Sequence, residues 1–154
     1  MLEIFYGKRV MDAHSISLVQ QSFEKVVAMG LPAVELFYAE LFAIDPSLRK
    51  MFKSDMQEQQ KKLLAALTLV VRSLHAPEKI IGTVEKLAIK HLDYGVQPEH
   101  YTYVGNALLR TLKKGLGPDY TAEVRDAWVD AFRMLSRTMK NAAYGTGQTI
   151  RGTA

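Results

Sequence analysis

His91 is the side chain around which any chemistry in this sequence would be arranged. It follows Ile80, Val84, Leu87 and Ala88 at helical spacing, so its imidazole is turned toward the inside of the fold. A histidine in that place is either a hydrogen-bonded core residue or a ligand. Upstream lie Tyr38, Phe52, Gln59 and Leu63, each in a segment that reads as helix. Gln59 and Leu63 are four residues apart and share a face. A tyrosine hydroxyl needs a hydrogen-bond partner once it is buried. The sequence has no cysteine, which removes disulfides, thiolate metal sites, thiol catalysis and cofactors tethered through sulfur. Any prosthetic group must be held without a covalent bond of that kind.

The elements that must position these residues are divided by proline and glycine. Pro32, Pro46, Pro77 and Pro98 each stand where a periodic segment begins, a position at which the missing N–H costs nothing. Ser17 and Gln20 read as a capping box for a first helix with Val19, Phe23, Val26 and Val27 inward. The second helix carries Val34, Phe37, Tyr38 and Leu41, and Asp45-Pro46 opens a short turn of helix that ends near Phe52. A long helix from about residue 57 to 74 buries Leu63, Leu67, Val70, Val71 and Leu74, and residues 78–92 form the helix carrying His91. Tyr101, Val104, Leu108 and Leu112 mark another helix, and Thr121 caps the last, with Val124, Trp128, Phe132, Leu135 and Met139 along one face. No stretch alternates at period two and no hairpin turn signal occurs. The fold class is all-α, with about seven helices; their unequal lengths argue against a regular four-helix bundle.

The 154 residues suffice for one domain with a core, and 48% hydrophobic with 23% charged residues is ordinary for a globular protein. We expect an extension over residues 1–14, a domain over 15–144, and a flexible tail over 145–154 that is rich in glycine and threonine. The net charge of +4 is spread over pairs such as Lys61-Lys62 and Lys113-Lys114, not gathered in a basic stripe, so nucleic acid is not expected as a partner. No apolar run approaches the length of a membrane span, about 18 residues or more. The opening residues lack the long apolar core of a signal peptide, and the expected location is cytoplasmic.

Three stretches carry a resemblance to a known family. They are Leu36-Phe37-Tyr38 through Asp45-Pro46; Glu58-Gln59-Gln60-Lys61-Lys62-Leu63; and Leu87-Ala88-Ile89-Lys90-His91 continuing to Gly95-Val96, His100-Tyr101 and Val104-Gly105. In that order and spacing the chain resembles a globin, specifically the single-domain bacterial haemoglobins and the globin half of flavohaemoglobins. The likeness runs from about Ser15 to Tyr144. It implies a globin fold enclosing a pocket for non-covalent haem b, with His91 as the iron ligand. A ligating imidazole needs an acceptor for its other N–H, and the Leu87 carbonyl one turn back is the natural one. The resemblance further implies that Phe52 packs flat on the haem and that Tyr38 and Gln59 are distal hydrogen-bond donors. Leu63 would set the room for a gas, and Val96 would pack under the proximal face. Gln60 would replace Gln59 if the register slipped by one residue. Lys62 and Lys90 are candidates for pairing with haem propionates, or are solvated. His14, His75 and His100 are the other histidines and match no iron ligand of the family.

Tyr101 matches a proximal tyrosine that, in flavohaemoglobin-type proteins, acts with a late glutamate on the proximal histidine. The glutamate position falls here at Ala143, with no carboxylate nearby. That departure counts against a strong electron push from the proximal side. The function implied is reversible binding of O2, and of NO or CO, for delivery or sensing. The alternative is NO dioxygenation with a separate reductase, and a haem-free interaction module is the third reading. The oligomeric state is left open.

Overall fold

The helices of this chain begin where a side chain replaces the missing backbone partner. In the computed structural model, which describes residues 11–52 and 55–145, Asp12 opens helix α1 (Ala13–Met29) by accepting the Ser15 N–H at 2.8 Å. This corrects the expected start at Ser17. A carboxylate at the positive end of a helix outranks a hydroxyl one turn later, and Ser17 instead accepts from the Gln21 amide at 2.9 Å, inside the helix. Met11, just ahead of the helix, is buried in the core. The rest of the expected extension, residues 1–10, and residues 146–154 of the expected tail lie outside the described residues.

Helix α2 (Leu31–Ile44) follows Gly30 at an angle of 102° to α1. Asp45 caps a 3-10 segment, Pro46–Met51, by accepting the Ser47 N–H at 3.0 Å. Then come α3 (Met56–Arg72), a 3-10 turn at Pro77–Lys79, α4 (Ile81–Asp93) and α5 (Pro98–Leu116). Thr121 caps α6 (Ala122–Lys140) by accepting the Val124 N–H at 3.2 Å, and a π-helical turn, Asn141–Gly145, follows. Six α-helices and the Pro46–Met51 segment make the seven expected, and the described residues contain no strand. No single helix among them is long and apolar enough to cross a membrane.

The helix packing divides the core in two. Helix α1 lies on α6, and Val19, Phe23, Leu112, Leu116, Val124 and Trp128 fill the space between them and α5. Helix α2 crosses α5 and also meets α3; around Val34, Phe37, Tyr38, Leu41, Leu48 and Ala107 this second cluster is heavily aromatic. Glu40, a buried carboxylate on α2, is held by Lys114 and lies 3.7 Å from Arg110, both on α5. Gly105 marks a close approach of α5 to α6, since a Cβ there would stand 2.7 Å from the Phe132 ring. Helix α4 is the exception: its packing is concentrated on α6 and the π turn, not on α2, α3 or α5.

One buried polar contact pins the first cluster. The Trp128 Nε1–H donates to the Ser22 hydroxyl at 2.8 Å, and that hydroxyl donates to the Leu18 carbonyl at 2.7 Å. Ser22→Ala would leave the indole N–H buried without an acceptor, at a cost of about 1–3 kcal/mol. Calorimetry should show the midpoint falling by roughly 2–4 °C for each kcal/mol lost in a chain of this size. An unchanged midpoint would mean that water reaches the indole.

Candidate functional site

His91 sits in the last turn of α4, half-buried, with Nδ1 2.6 Å from the Leu87 carbonyl. A carbonyl can only accept, so the bond places the ring proton on Nδ1 and leaves the lone pair on Nε2. The helix ends immediately afterwards in a Schellman turn. Val96 N–H donates to the His91 carbonyl at 3.0 Å, Gly95 N–H donates to Leu92 at 3.0 Å, and Gly95 takes φ +91°, a value that favours glycine. Both ends of His91, ring and backbone carbonyl, are therefore committed to hydrogen bonds, and Nε2 is the group left over.

The second cluster supplies a wall of different character. Tyr38 meets Phe37 edge-on at 5.2 Å between ring centroids, Phe52 at 5.4 Å and Phe42 at 5.9 Å. Phe52 follows the 3-10 segment, whose Arg49 carbonyl accepts its N–H at 3.1 Å, and it also meets Phe42 at 5.6 Å. Leu63 and Leu64 pack on the same cluster from α3. Burial pushes the Tyr38 phenol above its ordinary range, and a hydrogen bond from Gln59 works in the opposite sense. Gln60, the neighbour weighed against Gln59, is buried, whereas Gln59 is half-buried. Phe42 belongs to this wall although the sequence reading did not single it out; its spacing of four from Tyr38 was the available signal.

The remaining expected residues fall into two groups. Val96 and Tyr101 lie at the α4–α5 corner and at the start of α5. Tyr101 is buried, and its hydroxyl has no hydrogen-bond partner; burial, with a smaller contribution from Tyr144, pushes it up to about 12. The Lys140 ammonium lies 5.8 Å over the Tyr101 ring. Lys62 and Lys90 are exposed. The other histidines are engaged elsewhere. His14 is exposed beside Glu123 at 3.6 Å, and His75 lines a shallow surface depression with Gln20, Gln21, Glu24 and Arg72. His100 accepts the Gln97 N–H on Nδ1 at 3.0 Å, as part of the cap of α5.

Among the described residues no three histidine, cysteine, aspartate or glutamate side chains converge as a metal-binding group. A metal at His91 would thus have a single protein ligand and would have to bring its other donors with it, as a porphyrin does. An apolar, aromatic wall on α2 and α3, an imidazole with a free Nε2, and an α4 that stands off both helices fit such a flat group.

The sequence and the fold are similar to those of known proteins. Residues 35–139 match the family model for globins. A flavohemoprotein of Xylella fastidiosa is 31% identical over 131 residues, covering 83% of this chain and 33% of the relative. A flavohemoprotein of Bordetella pertussis is 35% identical over 103 residues, 65% of this chain and 26% of the relative. The chain thus spans about a third of the length of the curated relatives it matches. Among solved structures, a bacterial globin from Campylobacter jejuni superposes with a TM-score of 0.74 at 26% identity, covering 85% of this chain and 95% of that one. An engineered carbene transferase, derived from a Rhodothermus marinus protein whose proposed activity is nitric oxide dioxygenation, gives 0.74 at 27% identity, with coverage of 82% and 89%.

Tyr101 yields a pH dependence. Its folded-state pKa is raised from 10.0 to about 12, so the unfolded chain loses this proton first as pH climbs. The Tyr101 contribution is therefore level below pH 10 and turns against the fold between 10 and about 12. Tyr101→Phe should flatten that part of the loss. It should leave the midpoint at pH 7 unchanged or higher, since no hydrogen bond is given up. Thermal melts from pH 7 to 12 check both, and a lower midpoint for the variant at pH 7 would mean that the hydroxyl has a partner.

Proposed function

The chain belongs to the globin family, and on that premise we propose that it holds non-covalent haem b through Nε2 of His91 and reversibly binds a diatomic gas, O2 above all, with NO and CO as further ligands. The observation that carries this reading is the bond from His91 Nδ1–H to the Leu87 carbonyl at 2.6 Å. It holds the imidazole in the tautomer a metal ligand needs and makes it a better electron donor. When bound, the haem supplies a ferrous iron with an open coordination position, the chemistry that no side chain of this protein can provide.

The chain's own residues have three tasks. His91 anchors the group from α4. Phe52, Leu63 and Val96 exclude water from its faces, and the exposed Lys62 and Lys90 are free to meet the haem propionates. Tyr38 and Gln59 are the polar groups of the distal wall. A buried donor discriminates between gases, because O2 accepts a hydrogen bond far better than CO does.

The second reading is NO dioxygenation, favoured by the similarity to flavohemoproteins and to the Rhodothermus marinus protein. It uses the same residues and requires electrons from a separate reductase. Ala143, at the position where the flavohaemoglobin type carries its proximal glutamate, makes the proximal push weaker and places gas binding first. A multiple-turnover NO-consumption assay with a reductase added separates the two.

His91→Ala should abolish the Soret band of the protein purified with haem available. Retention of a native-like ferrous spectrum without added imidazole would refute the ligand assignment. Tyr38→Phe should speed O2 dissociation several-fold, in line with roughly 1–3 kcal/mol for a buried hydrogen bond, while CO dissociation barely moves. Gln59→Leu should act in the same direction, and the double variant should fall short of the product of the two, since the amide and the phenol form one unit. Stopped-flow release of both gases decides this, and equal acceleration of O2 and CO would point to altered access.

A further inference from the structure

Helix α2 carries two buried polar side chains, Tyr38 and Glu40, two residues apart. At 3.6 residues per turn they leave the helix about 200° from each other. Tyr38 meets Phe42, Phe52 and Gln59. Glu40 meets α5 instead, where the Lys114 ammonium donates to its Oε2 and the Arg110 guanidinium lies 3.7 Å from its Oε1. Arg110 and Lys114 are four residues apart, on one face of α5, and the fully buried Ala107 lies one turn before Arg110. The Glu40 side chain is only 11% exposed, whereas the pairs Lys25–Asp119, Arg72–Glu24 and Arg125–Asp126 have both partners more than half exposed. Burying a carboxylate is costly, and an apolar residue in its place is often as stabilising or more so. What an ion pair adds is direction. The apolar contacts of Val34, Phe37 and Leu41 are non-directional and let a helix slide or turn, while a charge-assisted hydrogen bond has a fixed geometry. Apart from the contact of Tyr38 with Gln59, no other side-chain hydrogen bond or ion pair among the described residues ties α2 to another α-helix.

We infer that Glu40 is a positioning residue for Tyr38: clasped by Lys114 and Arg110, it fixes the slide and the rotation of α2 on α5, and with them the place of the Tyr38 phenol in the distal wall. The inference rests on Tyr38 as a distal hydrogen-bond donor. Glu40 itself touches neither the haem nor the gas; it restrains the opposite side of the helix that carries the phenol. Little movement is needed for an effect. The range of good O–H donor distances is only about 0.5 Å wide, so a small slide or turn of α2 takes the phenol out of reach. The Lys114 hydrogen bond, opposed by burial and aided by the charges of Lys114 and Arg110, holds the Glu40 carboxyl below its ordinary range. The carboxylate is therefore ionised and the clasp closed at neutral pH.

The readouts, on the ferrous haem-loaded protein, are the C–O stretching band of the carbon monoxide form, which moves with the polar groups around the bound gas, and the dissociation rates of O2 and CO. Tyr38→Phe comes first. If it moves neither the band nor O2 release, Tyr38 is no distal donor, and that reading falls together with this inference. Given its effect, Glu40→Met removes the charge and the acceptor at similar side-chain length. It should displace the band in the same direction and speed O2 release about two- to tenfold, the span of a weakened hydrogen bond, while CO release barely moves. Glu40→Gln keeps an acceptor oxygen for Lys114 and should restore part of the shift. In the Tyr38→Phe background Glu40→Met should add nothing, because it acts only through the phenol. Lys114→Met opens the clasp from its exposed side and should act in the same direction, which keeps the test decisive if Glu40→Met does not fold. Variants at Glu40 and Lys114 that melt lower, yet keep the band and O2 release of the unmutated protein, would mean that the pair only holds two helices together. A shift that persists undiminished in the Tyr38→Phe background would mean that the clasp acts on the pocket by another route. Either result overturns the inference while leaving Tyr38 as the distal donor.

Discussion

Helix α4, which carries His91 in its last turn, packs chiefly on α6 and the π turn, and the placement of the imidazole depends on that one-sided support. A helix of 13 residues is marginal unless tertiary packing supports it. The support here is one-sided: α4 packs chiefly on α6 and the π turn. The Leu87 carbonyl and the Val96 N–H then fix what packing alone leaves loose, the ring's tautomer and the position of the helix end.

The division of the core into two clusters reflects the same constraint. The cluster built on Trp128, Phe23 and Leu112 has its indole satisfied by Ser22. The cluster around Tyr38 and Phe52 is aromatic, with Tyr38 meeting Phe37 and Phe52 edge-on. Phe37 and Phe42 both pack against the Tyr38 ring, with centroids 5.2 and 5.9 Å away. Rigid placement of a donor is what lets it distinguish one small ligand from another.

The corner beside His91 pairs one phenol with the backbone and leaves another without a partner. Ala143 cannot accept a proton or a hydrogen bond through its side chain, and the Tyr101 hydroxyl is left without a partner. One residue further on, Tyr144 turns to the backbone of the corner.

Much of this was legible in the sequence because it is local. Periodicity put His91 inward and set Leu87 one turn behind it, and proline and capping residues marked most helix starts. Thr121 caps α6 as its position implied. Two starts were misplaced: the first helix begins at the Asp12 cap, five residues before Ser17, where Met11 can enter the core, and the helix carrying His91 begins at Ile81, because Pro77 opens a separate 3-10 turn. What periodicity leaves undecided is the partner of each face. The bonds from Trp128 to Ser22 across 106 residues and from Tyr144 to Val96 across 48 depend on how helices cross, as does the meeting of Tyr38 with Gln59. A helical hydrogen bond reaches only four residues along the chain, so sequence alone determines which residues share a turn or a cap. Which turns touch is decided by the packing of whole helices, and only the tertiary structure contains it.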